Sequence, residues 1–325
     1  METIEKSEQP EAKKILCLAS YRPLHQYNWC QKLEALNNLE EVKSRLIEEP
    51  FTEREIEGEI PILGKISDNV SRKVKAQYEE NPYPRWVKTG IPAKAKSISE
   101  ICIEEKIHLH SESIKKAINP NILIAGCGTG QHSINTASRF SNCQVTAVDL
   151  SLASLAYAKR KTTELGIANI KYLQADILEL DQLEQKFDII DSVGVLHHMD
   201  NPFKGWKILT SCLNNDSLML IGLYSENARQ HIIQIKNKIA KLKLKSNYKN
   251  IIKFRKDLIE SNSDQWSLIK SSPDFYTVSG VRDLLFHVQE HTFTISKIKE
   301  YLDKLGLTFL GFEDKLVKEK FKKIY

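Results

Sequence analysis

The strongest constraint on the fold is the alternation of short apolar runs with longer amphipathic stretches from about residue 116 onward. Five apolar runs have the length and composition of strands, and helical segments separate them. The runs are NILIAG (121–126), QVTAVDLS (144–151), IKYLQAD (170–176), FDIIDSVGV (187–195) and SLMLIGLYS (217–225). Since parallel strands need crossover connections, the pattern predicts an α/β domain with an open, mostly parallel sheet and helices on both faces.

The rest of the chain predicts a two-part organisation. Residues 1–115 are mostly helical and irregular, which predicts an N-terminal helical cap, and residues 116–325 form the sheet domain. Within the sheet domain, 226–294 is predicted to be a helical insertion, followed by a helix (295–306) and a sixth strand, LTFLGFE (307–313). The segment QYEENPYPRW (77–86) alternates proline with aromatic residues, so it is expected to be extended rather than helical.

Composition and charge disfavour several classes of protein. The net charge of +5 is mild for 325 residues, and the Lys-rich stretch 229–256 is better interpreted as a solvated helix face than as an RNA- or lipid-binding patch. A nucleic-acid partner is therefore not expected. No run of 18 apolar residues occurs, so no membrane span is expected. The N-terminus lacks an apolar signal stretch and the six cysteines form no C-x-x-C pair, which predicts a cytoplasmic protein with free thiols.

The first predicted strand runs directly into three glycines spaced two apart, in ILIAGCGTG (122–130). Glycines at a strand end let the backbone approach a ligand closely. The spacing differs from the dinucleotide fingerprint, because Gln131 stands where a third glycine would be expected, and no phosphate-binding G-K-[ST] sequence follows. The turn alone is therefore a weak indication of a nucleotide-like ligand.

Two downstream acids strengthen this indication. Asp149 ends the second strand, a little over 20 residues past the glycines, where an acid binds a ribose hydroxyl pair. Asp176 follows the third strand, where it could accept a hydrogen bond from an adenine amino group. Each acid could instead only cap the next helix. Two acids at the ends of consecutive strands beside the glycine turn favour the binding interpretation.

The motifs ILIAGCGTG, AVDLS, QADIL and FDIIDSVGVLHHM resemble the successive motifs of class I S-adenosylmethionine-dependent methyltransferases. The segments YRPLH (21–25), QYEENPYPRW, DLSLASLAYAKRK, IGLYSENAR and RDLLFHVQEHTFT extend the resemblance over nearly the whole chain. They are similar to the catalytic part of a bacterial group that often follows tetratricopeptide repeats. The resemblance implies a Rossmann-like fold, S-adenosylmethionine as the cofactor and methyl transfer as the reaction.

The resemblance also implies a set of cofactor-binding residues. The glycine turn, with Gly126, Cys127, Gly128 and Gly130, would hold the methionine half. The ribose and adenine would be bound by residues that follow the second and third strands, namely Asp149, Leu150, Asp176 and Ile177. The backbone at Gly194 and Val195, after the fourth strand, would lie near the reactive methyl group. Tyr83 and Arg85 in NPYPRW could fold over the cofactor as a lid, or the segment could be an ordinary docking strand.

Class I methyltransferases usually have seven strands in the order 3-2-1-4-5-7-6. Only six can be identified here, because the tail DKLVKEKFKKIY after residue 313 has no apolar strand. The sheet is therefore expected to be incomplete at its C-terminal edge, as if the chain were cut short, with strand six loosely packed, paired with strand five or completed by a partner.

Methyl transfer is an in-line displacement that needs a base only when the nucleophile must lose a proton, so no fixed catalytic triad is expected. His197 and His198 follow the fourth strand, and His287 lies in the insertion; all three are candidate catalytic residues, and each could instead be a packing residue. Tyr224 and Arg229 are weaker candidates. HVQEH (287–291) matches a zinc-binding pattern in letters, but no third ligand is evident and no metal is expected.

The acceptor is less constrained by the sequence. The loop VGVLHHM (193–199) lacks the N-P-P-Y-type tetrapeptide of amino-group methyltransferases, which favours a small molecule or a carrier-bound metabolite. An RNA or protein methyltransferase, a cofactor-binding protein without turnover and a nicotinamide-dependent oxidoreductase remain as alternatives. The sequence does not indicate an oligomeric state.

Overall fold

The computed structural model describes residues 9–33, 39–109, 111–261 and 266–313. By its internal contacts the chain divides into two compact units, Met1–Ile60 and Pro61–Tyr325. None of the helices in the described ranges is long and apolar enough to cross a membrane.

The first unit contains short helices around a small apolar core. Its helices are α1 (Ala12–Tyr21), α2 (Glu40–Lys43) and α3 (Glu49–Glu57), and a π-helical turn (Ser44–Glu48) joins α2 to α3. The buried side chains of this core are Ile15, Leu24, Trp29, Cys30, Leu33 and Ile47.

The second unit begins with three helices that precede the sheet: α4 (Asn69–Glu80), α5 (Ile98–Glu104) and α6 (Glu112–Lys115). Their segment is joined to the sheet region by backbone hydrogen bonds. Leu63 N–H donates to the Gln174 carbonyl at 2.9 Å, and Lys96 N–H to the Arg139 carbonyl at 2.8 Å. The compact units divide at residues 60/61, and the predicted domain boundary at 115/116 stays a prediction.

A five-stranded parallel sheet forms the centre of the second unit. The strands are β1 (Asn121–Ala125), β2 (Gln144–Asp149), β3 (Ile170–Gln174), β4 (Phe187–Val193) and β5 (Leu213–Gly222), in the spatial order β3-β2-β1-β4-β5. Leu123 of β1 pairs with Thr146 of β2 on one side and with Ile190 of β4 on the other. The predicted Rossmann-like fold class is therefore confirmed, together with the order of its first five strands.

Eight helices of the described ranges follow the first strand. They are α7 (Gln131–Arg139), α8 (Leu152–Glu164), α9 (Pro202–Ser211), α10 (Gln230–Lys241), α11 (Tyr248–Glu260), α12 (Ser267–Lys270), α13 (Val278–Phe286) and α14 (Ile295–Leu305). Several begin at a polar side chain that accepts a backbone N–H, among them Ser151 before α8 and Thr277 before α13. Such caps fix where each helix starts relative to the strand before it.

The predicted sixth strand is wrong. Residues 307–312 follow α14 but form no strand, although their composition suits one. Leu307 packs against the core of the sheet domain, whereas Phe309 remains 46% exposed. A strand needs a neighbour for its backbone hydrogen bonds, and none of the described residues supplies one beside this segment. The tail from which a seventh strand could be drawn, 315–325, lies outside the described residues.

The predicted insertion has an apolar core of its own. Helices α10 to α13 bury a cluster of aliphatic and aromatic side chains: Ile232, Ile235, Ile239, Ile251, Phe254, Leu258, Trp266, Ile269, Phe275, Val281, Leu284, Leu285 and Phe286. This core holds α13 in place, and α13 contributes Asp283 to the lining of the cavity described next.

Candidate active site

A cavity of about 330 Å³ lies at the carboxyl ends of the first four strands. Ligands in open α/β sheets bind at this edge, where the strand order reverses between β1 and β4. Four consecutive strand ends line it: the glycine turn after β1, Asp149 after β2, Asp176 after β3 and residues 193–195 after β4. Side chains from α4, NPYPRW and α13 complete the wall.

The glycine turn depends on backbone conformations that other residues rarely adopt. Gly126 and Gly130 have φ of 85° and 81°. A Cβ on Gly126 would lie 2.3 Å from Val195 Cγ2, and a Cβ on Gly130 would lie 2.5 Å from the Cβ of Ala158. Gly126 therefore lets the loop after β4 approach the turn, and Gly130 lets α8 approach it. Gly130 is not among the residues that line the cavity, and its part in cofactor binding stays a prediction.

Asp149 is joined to the glycine turn by a direct hydrogen bond. One carboxylate oxygen accepts from Gly128 N–H at 2.8 Å, and the other accepts from Ser151 N–H at 2.9 Å. Burial raises the pKa of Asp149, while these two backbone donors act in the opposite direction. The bonds hold the carboxylate in one orientation at the cavity wall.

Asp176 both lines the cavity and caps a turn, and its contact with the adenine stays a prediction. It lines the cavity, and one of its oxygens accepts from Leu178 N–H at 3.0 Å, which caps the 3₁₀ turn Ile177–Leu183. Leu150 and Ile177, the apolar neighbours of the two acids, also line the cavity, as do Cys127, Gly194 and Val195.

The NPYPRW segment lies against the glycine turn, but only part of it reaches the cavity. Tyr83 and Pro84 line the cavity. Thr129 Oγ donates to the Pro84 carbonyl, and Trp86 Nε1 donates to the Thr129 carbonyl at 3.1 Å. The guanidinium of Arg85 lies instead over the ring of Tyr157 of α8, 5.4 Å from its centroid. The structure therefore places Arg85 outside the cavity, contrary to its predicted contact with the cofactor.

The three candidate catalytic histidines form one buried stack of rings. His198 stacks on His287 at 3.6 Å between centroids, and His197 stacks on Tyr224 at 3.8 Å. Of the three, only His198 lines the cavity. Burial is the main cause that lowers the pKa of His198 to about 4 and those of His197 and His287 to about 2. The three rings are therefore neutral near pH 7, and a part for any of them in catalysis stays a prediction.

These lowered pKa values predict a pH-dependent stability. Below pH 6.5 the unfolded chain takes up a proton at His287 that the folded chain does not, so the free energy of unfolding falls by about 1.4 kcal/mol per pH unit for this group. His287→Gln removes that contribution. Urea unfolding between pH 6 and 4.5 should therefore show a slope that is shallower in the variant by about this amount. His231→Gln, outside the ring stack, is the matched control, and parallel slopes for His287→Gln and the wild type would contradict the argument.

The HVQEH segment is not helical, whereas two histidines at positions i and i+4 can bind one zinc from the same face of a helix. Helix α13 ends at Phe286, so His287 and His291 do not share a helix face. His291 Nε2 lies 3.0 Å from the Met199 carbonyl, and Glu290 pairs with Arg229 and Lys236, each at 2.8 Å. Within the described ranges no three His, Cys, Asp or Glu side chains are grouped as metal ligands. That the protein binds no metal stays a prediction.

Sequence reasoning missed two cavity residues that form a pair. Tyr78 of α4 donates its hydroxyl to Asp283 of α13 at 2.6 Å, and both line the cavity. Asp274 lies nearby and accepts from the Tyr83 hydroxyl at 2.5 Å. Tyr78 and Asp283 lie within QYEENPYPRW and RDLLFHVQEH, which the sequence marked as distinctive, but nothing in either segment indicates that the two residues meet.

Comparison with known proteins agrees with this geometry. Residues 119–276, just under half of the chain, match the family model described as "Methyltransferase domain". The matched part of the chain is similar to a methyltransferase domain, a class whose methyl donor is S-adenosylmethionine, and this agrees with the predicted cofactor. The matched residues include the glycine turn, Asp149 and Asp176, whereas Tyr78, Tyr83 and Asp283 lie outside them.

Individual relatives cover only part of the chain. An uncharacterised protein of Synechococcus sp. is 30% identical over 60% of this chain and 49% of its own length. The (S)-coclaurine N-methyltransferase of Papaver somniferum is 30% identical over 35% of this chain and 32% of its own length. This chain thus spans half or less of the length of these curated relatives.

The structure of PKMT2 from Rickettsia typhi is similar to this chain, with a TM-score of 0.52 and 20% identity over 72% of this chain and 49% of that protein. Its complex with AdoHcy gives a TM-score of 0.50. At this identity the similarity establishes the fold alone.

Proposed function

We propose that this protein is an S-adenosylmethionine-dependent methyltransferase that acts on a small molecule or a carrier-bound metabolite. The observation that carries the proposal is the position of Asp149, held by Gly128 at the cavity wall with the glycine turn on one side and Asp176 on the other. A cavity of about 330 Å³ is within the range of small-molecule sites.

The residues present fit the cofactor. A carboxylate oxygen has two acceptor positions, so Asp149 can bind a pair of ribose hydroxyls while it keeps its bonds to Gly128 and Ser151. Gly194 also lines the cavity, and no atom lies within 4 Å of the position that a Cβ would take. In this proposal the glycine turn holds the methionine half, and Leu150 and Ile177 contact the adenine.

When bound, the cofactor supplies an electrophilic methyl group on a positively charged sulfur. The chain's own residues orient the reactants and exclude water from a mostly apolar, aromatic cavity. A base is needed only if the acceptor must lose a proton. His198 reaches the cavity but, with a pKa of about 4, is a weak proton acceptor. Its role in the proposal is to orient the acceptor.

The class of acceptor rests on weaker support. The (S)-coclaurine enzyme is named for a small-molecule substrate, which favours the same class here. The loop after β4, VGVLHHM, lacks the tetrapeptide of many amino-group methyltransferases. A protein or RNA acceptor is the second candidate, because the Lys-rich helices α10 and α11 lie in the same insertion as Asp283, which lines the cavity.

The proposal predicts that the purified protein binds S-adenosylhomocysteine and does not bind NAD, as measured by calorimetry. Conversion of S-adenosylmethionine to S-adenosylhomocysteine should then appear with a metabolite extract and not with matched RNA or protein fractions. Binding without conversion in any fraction would indicate a cofactor-binding protein without turnover, and binding of NAD alone would contradict the proposal.

A further inference from the structure

The cavity has a second group of residues that the proposed cofactor site does not use. Tyr78, Tyr83 and Tyr224 line it together with His198 and Asp283. Two of these aromatic rings are fixed by acids: Tyr78 donates to Asp283 at 2.6 Å and Tyr83 to Asp274 at 2.5 Å. We call the five cavity residues, Tyr78, Tyr83, Tyr224, His198 and Asp283, the aromatic–acid wall.

The charge of the cavity is one-sided. Three carboxyl groups line it, Asp149, Asp176 and Asp283, and none of its described lining residues is Lys or Arg. The proposed cofactor site uses Asp149 and Asp176 and leaves Asp283. Burial, together with the charge of Asp274, raises the pKa of Asp283 to about 6, so the group is mostly ionised above pH 7.

Positive groups close to the wall are already paired. Arg229 lies 3.8 Å over the Tyr224 ring but is bound to Glu290 at 2.8 Å, and Arg282 is bound to Glu80 at 2.8 Å. His132, which lines the cavity, lies 2.5 Å from Asp191. His198 is neutral near pH 7, as described above. An anionic acceptor would thus meet three carboxyl groups without an unpaired cation among the described lining residues to offset them.

We infer that the acceptor presents an amine, which binds as an ammonium group at the aromatic–acid wall before it is methylated. Tyr78 and Tyr83 line the cavity beside the Asp283 carboxylate, and aromatic rings next to a carboxylate are the combination that recognises ammonium ligands. The inference rests on the proposed function and adds the class of acceptor atom. The loop after β4 lacks the tetrapeptide with which amino-group methyltransferases bind an amine. In this inference Asp283 of α13 binds the amine instead.

During the transfer, the ammonium group first loses one proton to the Asp283 carboxylate, and that proton passes from there to solvent. The nitrogen lone pair then forms the bond to the methyl carbon, and the carbon–sulfur bond breaks with its electron pair left on sulfur. The products are an N-methylammonium group and S-adenosylhomocysteine.

The test compares probes of similar size and different charge by ligand-observed NMR, with and without S-adenosylhomocysteine. The probes are 2-phenylethylamine, neutral 2-phenylethanol and anionic phenylacetate. The amine should bind the wild type about tenfold more tightly than the alcohol, because a hydrogen bond between charged groups is worth about that factor, and phenylacetate should bind least. A short lysine peptide is the fourth probe: tighter binding of the peptide than of 2-phenylethylamine would support the inference and assign the amine to a protein.

Asp283→Asn should remove most of the preference for the amine and leave the affinity for 2-phenylethanol unchanged. Asp257→Asn is the matched control, because Asp257 is an exposed carboxyl group of the same insertion and does not line the cavity. Equal affinities for the three small probes, binding of none of them, or a preference that survives in Asp283→Asn would overturn the inference. If Asp283→Asn does not fold, the relative affinities of the three small probes for the wild-type protein still test the inference. Normal binding of S-adenosylhomocysteine with no amine preference would sink this inference alone, whereas loss of that binding would sink the proposed function.

Discussion

Asp149→Ala is expected to weaken the binding of S-adenosylhomocysteine by roughly 30-fold or more, because a buried charge-assisted pair of hydrogen bonds contributes on the order of 2–5 kcal/mol. The carboxylate is already oriented by Gly128 and Ser151, so the ligand does not have to order it on binding. Calorimetry on the folded variant measures the loss directly.

The control for this variant is Asp200→Ala, an exposed acid that does not line the cavity. It should bind S-adenosylhomocysteine like the wild type. Asp149→Ala also leaves two backbone N–H groups without their acceptor, so its circular dichroism must first show a folded protein. A folded Asp149→Ala variant with unchanged affinity would remove Asp149 from the cofactor site.

Gly130→Ala is expected to lower the free energy of unfolding by roughly 2–5 kcal/mol. Two effects add: a left-handed backbone costs an alanine about 1–2 kcal/mol, and overpacking against Ala158 costs about 1–3 kcal/mol. The new Cβ would lie 2.5 Å from the Cβ of Ala158 and 3.0 Å from its Cα, and neither atom is the end of a flexible side chain. Urea unfolding gives the change in stability.

Gly166→Ala separates the two effects. Gly166 has φ of 67°, similar to Gly130, but no atom lies within 4 Å of the place where its Cβ would be. This variant should lose only the backbone share, about 1–2 kcal/mol. If the two variants were equally destabilised, close packing of α8 on the turn would not be the reason for a glycine at position 130.

The parts of the structure that the sequence predicted well are those set by local patterns. Strands β1 to β5 are short apolar runs between helices. The ends of these strands determine where Asp149 and Asp176 lie. A parallel sheet brings such ends to one edge whatever the rest of the chain does. The cavity at that edge was therefore predictable before any contact between side chains was known.

The parts that could not be predicted depend on partners far away in the sequence. Residues 307–312 have the composition of a strand but no neighbouring strand among the described residues. Arg85 lies over Tyr157 rather than at the cavity, because α8 places the Tyr157 ring beside it. Tyr78 and Asp283 are 205 positions apart, and nothing local to either one indicates their hydrogen bond.

The end of α4 has a further consequence, because two adjacent residues there face different parts of the domain. Tyr78 is bound to Asp283 of α13, while Glu79 accepts from Leu152 and Ala153 N–H at 3.0 and 2.9 Å, at the start of the helix that follows Asp149. A shift of this single helical turn changes both contacts at once. A ligand that displaced this turn would therefore act on both sides of the cavity, and in that case each ligand would alter the affinity for the other by the same factor.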